Sequence, residues 1–157
     1  MTRFLRIALL ILAAAVTPAI ADDTGTSSME MLKEKIRADK KLLVATNMDL
    51  SDAEAKGFWP LYDGYQKELE AINRRLATLV ADYADAYDKG PVSNDVARKL
   101  AQELMAIDEA ELKLKRDYLP KLEKVVPAAK AVRYLQIETK IRALIRYELA
   151  DGIPLVD

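Results

Sequence analysis

The side chains that carry most protein chemistry are missing from this sequence: its 157 residues include no histidine and no cysteine. A Ser-His-Asp or Cys-His nucleophile needs a base that titrates near neutrality, normally histidine. Zinc sites draw mainly on Cys and His, a di-iron bundle on Glu-x-x-His pairs, and an exported haem bundle on an axial His. No glycine-rich loop offers backbone amides to a phosphate. What remains is carboxylates and thioethers. Glu109 with Glu111, and Asp82 with Asp85, are close enough in sequence for paired-carboxylate chemistry. Lysines and arginines are interspersed at helical spacing, however, so both pairs read as a solvated, ion-paired face. Met29 and Met31 are soft enough for Cu(I). With Met48 and Met105 they read instead as scattered gap-fillers of a helical core. The expectation is a protein that is not an enzyme and has no metal and no cofactor.

The first 21 residues have the three parts of a cleavable export signal. Arg3 and Arg6 charge the start, Ile7 to Val16 form an unbroken apolar run, and Ala19-Ile20-Ala21 follows Pro18 as a small-residue cleavage site. The apolar run is shorter than the roughly 20 residues that span a bilayer. Cleavage after Ala21 is therefore expected, leaving no integral membrane span and an exported chain. Removing 21 of 157 residues leaves 136, enough for one domain with a modest core. Arg3 and Arg6 go with them, so 22 of the 24 basic residues face 25 acidic ones. That balance carries no basic excess for nucleic acid.

The rest must be positioned by helices, since no stretch alternates with period two over a useful length. Residues 22–28 read as a polar, flexible leader and 29–157 as a single all-α domain. Ser27 and Glu30 form a capping-box pattern ahead of a basic first helix whose stripe is Met29, Leu32, Ile36 and Leu43. Leu50-Ser51-Asp52-Ala53-Glu54 is a second capping box, with Leu50 as the staple. From there Phe58, Tyr62, Tyr65, Leu69, Ile72, Leu76, Leu79, Tyr83 and Ala86 recur at steps of three and four, the spacing of a long bundle helix. Gly90-Pro91 ends it. Trp59-Pro60 lies inside this helix, where a kink or a separate turn is expected, with Trp59 packed at the bend.

Ser93 caps a third helix with the stripe Val96, Leu100, Leu104, Ile107, Ala110, Leu114 and Tyr118, bent or ended at Leu119-Pro120. Pro127 opens a fourth, carrying Tyr134, Ile137, Ile141, Leu144 and Ile145. Gly152 is expected as its left-handed cap, with Ile153 folding back towards Tyr147. The architecture expected is four amphipathic helices in an extended, hairpin-like bundle, kinked at its prolines.

On these residues the chain resembles the Spy/CpxP family of periplasmic helical proteins. The family's Leu-Thr-x-x-Gln motif corresponds to Leu50-Ser51-Asp52-Ala53-Glu54, whose serine and glutamate preserve the capping chemistry. Where the family often repeats the motif, Val126-Pro127-Ala128-Ala129-Lys130 keeps the proline and loses the cap residue. The resemblance spans about residues 28–150. It implies a periplasmic, curved homodimer that shelters unfolded polypeptides without ATP. Its metal-sensing branch uses His and Met ligands that have no counterpart here.

The reading that follows is an ATP-independent holdase-type chaperone or envelope-stress protein, whose partners are unfolded or partly folded proteins. Leu61, Val132, Arg133, Leu135, Arg142, Arg146 and Leu149 are the candidate client or partner surface, because apolar residues beside long cationic side chains suit weak, promiscuous binding. The same residues also fit a dimer seam. A helical adaptor or sensor module that binds one specific envelope protein is the alternative, and an apolar-ligand carrier a third.

Overall fold

The computed structural model describes residues 38–156. The expected signal, leader and first-helix start, with Ser27, Met29, Met31, Leu32 and Ile36, lie outside the described residues. Four helices make up the bundle: α1 over residues 38–48, α2 Asp52–Asp88, α3 Asn94–Leu122 and α4 Ala128–Gly152. No strand occurs among the described residues.

The capping box at Ser51 forms as its chemistry requires. The Glu54 amide donates to Ser51 Oγ, and the Ser51 amide donates to Glu54 Oε2 at 2.8 Å. From that start α2 runs 37 residues, about 55 Å at the usual helical rise. It buries Phe58, Tyr62, Tyr65, Ile72, Leu76 and Tyr83 of the expected stripe, with Val80 buried where Leu79 is only half-buried. Gly90, at φ 119°, takes the left-handed turn that ends it. Ser93 caps α3 by accepting from the Val96 amide.

The side-chain pairings fix the topology. Gly57 meets Val125, Gly64 meets Tyr118, and Arg75 pairs with Glu103, so α3 descends antiparallel to α2. Lys130 reaches Glu54, Arg142 reaches Asn73, and Tyr83 donates to the Pro154 carbonyl, so α4 ascends parallel to α2. Lys41 pairs with Asp63 near the start of α2, and Lys40 reaches both Gln66 and Glu138. α1 therefore descends over the cleft between α2 and α4, opposite α3. The result is an up-down four-helix arrangement with its apolar stripes turned inward.

Several sequence expectations are corrected. Neither a separate turn at Trp59-Pro60 nor an end at Leu119-Pro120 forms, since both prolines lie inside continuous helices. Pro60 and Pro120 are exposed, as are Lys56 and Arg116 four residues earlier, so each proline sits on a solvent-facing side of its helix. In α1 the buried residues are Val44 and Met48, while Leu43 is exposed. The α3 stripe is exposed at Val96 and Leu104, and Leu144 of α4 points to solvent. Gly152 remains helical and the left-handed glycine is Gly90. Ile153 turns onto the core, whereas Tyr147 points outward. Met48 fills the core as expected, but Met105 is 58% exposed.

Candidate functional site

Two charged residues share the helical phase of the apolar stripes and are therefore carried inside. Glu138 lies one turn after the buried Tyr134, and Glu111 one turn after the buried Ile107. Each builds a polar cluster.

Glu138 is 3% exposed. Lys40 stands 2.8 Å from its Oε2, and the Gln66 amide nitrogen donates to Oε1 at 2.8 Å. Gln66 completes a closed circuit by accepting from Lys40 at 2.7 Å and donating to the Tyr134 hydroxyl at 3.1 Å. Aromatic rings wall this cluster. Phe58 and Tyr134 meet edge to face with centroids 5.2 Å apart, as do Tyr65 and Tyr134 at 5.5 Å. Trp59 packs edge to face on Phe58 and Tyr62, and the Lys41 ammonium lies 5.1 Å from its ring centroid. Burial raises the phenols of Tyr134, Tyr65 and Tyr62, and the Glu138 charge adds to it.

The second cluster joins α3 to α4. Arg146 pairs with both Asp108 and Glu111. Arg142 Nε is 2.7 Å from Glu111 Oε1 but too oblique for a hydrogen bond, and Nη1 donates to Asn73 Oδ1 at 2.7 Å. Nη2 is buried without a hydrogen-bond acceptor. Outside this pair an open groove of about 410 Å³ runs between the helices, lined by Asp108, Glu111, Leu112, Lys115, Arg142 and Arg146. A smaller cavity of about 40 Å³ lies behind it, bordered by Tyr65, Asn73, Glu138 and Ile141 among others. Leu112 lines the groove, and Met105, seven residues earlier on the same face of α3, is like it about half exposed.

Of the sequence-predicted surface, the structure brings only part together. Val132 is exposed, Leu135 half-buried, and Arg142 and Arg146 follow along the same side of α4 at helical steps. Arg133 is exposed on another side and donates to the Asn47 carbonyl. Leu61 packs against the core from α2, and Leu149 is buried within it. Arg142, with an 11% exposed side chain, belongs to the floor of the groove and not to an open face. Glu111 is likewise ion-paired but buried, while Glu109, Asp82 and Asp85 are exposed. Sequence reasoning missed Lys40, Gln66, Asn73 and Glu138. The readable signal was a carboxylate in phase with an apolar stripe, which only a buried cation can stabilise.

The cap motif has a structural partner. Lys130 donates to Glu54 Oε2 at 2.8 Å and to the Asp49 carbonyl. The segment that opens α4 thus returns a lysine to the Ser51 cap. The Lys130 hydrogen bond holds the Glu54 carboxyl below its ordinary value, with the Ser51 amide assisting.

The paired carboxylates and cations border an amphipathic groove. Among the described residues no group of three or more Asp or Glu side chains gathers as a metal-holding cluster, and no helix is long and apolar enough to cross a membrane. No family model, no curated protein and no solved structure matches the chain.

Proposed function

We propose that this chain is an exported, non-enzymatic helical protein of Spy/CpxP type that binds unfolded or partly folded polypeptides in the envelope without ATP. The observation that carries the reading is the open α3–α4 groove, where exposed Leu112 adjoins the charges of Asp108, Lys115 and Arg146, with Met105 exposed two turns before Leu112 on the same face of α3. Apolar side chains beside both signs of charge suit segments that are themselves mixed, and half-exposed leucine and methionine adapt to many shapes. The ion pairs hold the arginines in place, so the groove is formed before a client arrives. The export signal, the capped Leu50–Glu54 motif and the absence of histidine and cysteine support the same reading.

The test is suppression of aggregation of an unrelated denatured protein at stoichiometric ratio without nucleotide. Wild-type protein should suppress it, and Leu112→Glu with Met105→Glu should abolish suppression while leaving helicity intact. Absence of suppression by wild type at several-fold excess overturns the reading. A single saturable partner in an envelope extract, with no effect on generic clients, would establish the adaptor reading instead.

A further inference from the structure

The cleft beneath α1 is defined by what α1 places in it. Lys40, Val44 and Met48 follow at steps of four and so share one helix face. Val44 and Met48 have no exposed surface, and the Lys40 ammonium sits between Gln66 and Glu138. The receiving surface combines the rings of Phe58, Tyr62 and Tyr134 with the carboxylate of Glu138. A helix with a lysine followed by apolar residues four and eight positions later satisfies both its shape and its charge.

The connection from α1 to α2 is short. Only residues 49 and 50 separate the end of α1 from the Ser51 cap. Asp49 occupies the left-handed region at φ 47°, an uncommon conformation for a residue with a Cβ. Lys130 pins its carbonyl. The reversal that folds α1 back onto its own bundle is therefore made at a strained residue.

We propose that α1 exchanges between two copies of this chain, each copy's cleft receiving the partner's α1. The contacts of Lys40 with Glu138 and of Lys41 with Asp63, and the burial of Val44 and Met48, reform unchanged across the pair, while Asp49 relaxes to an extended conformation. A second copy is the occupant because its α1 carries the required side chains in the required order. The inference uses a different face from the α3–α4 groove and does not depend on client binding.

The chain has no cysteine, so introduced thiols are unique. Lys41 and Asp63 are exposed partners 3.2 Å apart, and their replacement spares the core. Full-length Lys41→Cys and Asp63→Cys proteins are mixed, incubated and treated with a short bis-maleimide. Exchange predicts a covalent dimer several-fold more abundant than from Lys41→Cys mixed with Arg98→Cys, an exposed site at the other end of the bundle. Asp49→Gly, which removes the strain of the closed form, should lower that yield. Equal yields from the two mixtures, or a yield indifferent to Asp49→Gly, would overturn the exchange. Competition by an unrelated helical peptide with Lys, Val and Met at the same spacing, equal to that of a peptide of residues 38–48, would overturn the assignment to a second copy.

Discussion

Lys40 of α1 places its ammonium 2.8 Å from the carboxylate of Glu138, a residue of α4 that is 3% exposed. A charge at that depth is tolerable only with its partner in place, so each residue specifies the position of the other's helix. Lys40→Met leaves Glu138 with Gln66 alone and should destabilise the protein by about 3 kcal/mol. Lys40→Met combined with Glu138→Met should recover most of that loss, because a packed apolar pair removes the uncompensated charge. Urea unfolding of the three variants measures it; a double variant as weak as the single one would contradict it.

Gly57 lies where α2 passes the α3–α4 connection. A Cβ there would stand 2.8 Å from Val125 Cβ and 2.9 Å from its Cγ1. Gly57→Ala should therefore cost about 1 kcal/mol net, since overpacking outweighs the gain in helix propensity. Val125→Ala in the same chain should relieve the clash. The two substitutions are expected to be less damaging together than the sum of their separate effects, as a double-mutant cycle would measure.

Tyr118 donates to Glu68 at 2.8 Å, and burial, followed by that hydrogen bond, pushes its phenol up to about 12 from an ordinary 10.0. The folded state thus holds a proton that the unfolded state releases first. The stabilisation is present in full below pH 10 and is lost as pH rises through the folded value. The buried Tyr62, Tyr65 and Tyr134 shift in the same direction. Tyrosinate absorbance should therefore appear together with loss of helicity in one alkaline transition. Tyrosines that ionise fully while the helices persist would refute this.

The Lys130 hydrogen bond is the largest cause of the low Glu54 carboxyl. A depressed folded value contributes stability above the unfolded one and loses it as pH falls through the folded value. Lys130→Met should raise the Glu54 titration towards its ordinary range and reduce the acid dependence of stability. A carboxyl-carbon NMR titration reports the shift, and an unchanged Glu54 would show that Ser51 alone sets it.

Legibility followed the kind of force involved. The α2 start was readable because Ser51 and Glu54 bond within one turn. The α2 stripe was readable because nearly all of its aromatic and aliphatic positions keep one phase. Leu43 was misread because the segment around it is highly charged, so two adjacent phases, through Leu43 or through Val44, fit its few apolar residues equally. At Pro60 and Pro120 sequence left open whether the helix bends or ends, because a helix continues past a proline only where its neighbours and its solvent-facing side accommodate the ring and the lost hydrogen bond.

Residue order alone determined α2, α3 and α4, with the Ser51 and Ser93 caps and the Gly90 terminator. Those depend on contacts within a few residues. Tertiary structure decided which charges are solvated and which are buried, and what surface remains. Glu109 and Glu111 are two residues apart, yet only Glu111 turns inward to meet Arg142 and Arg146. Leu149 and Val132 looked equivalent, yet one fills the core and the other faces solvent. The difference is rotational: a helix in solution offers every side equally, and only packing against neighbouring helices chooses the side that water never reaches.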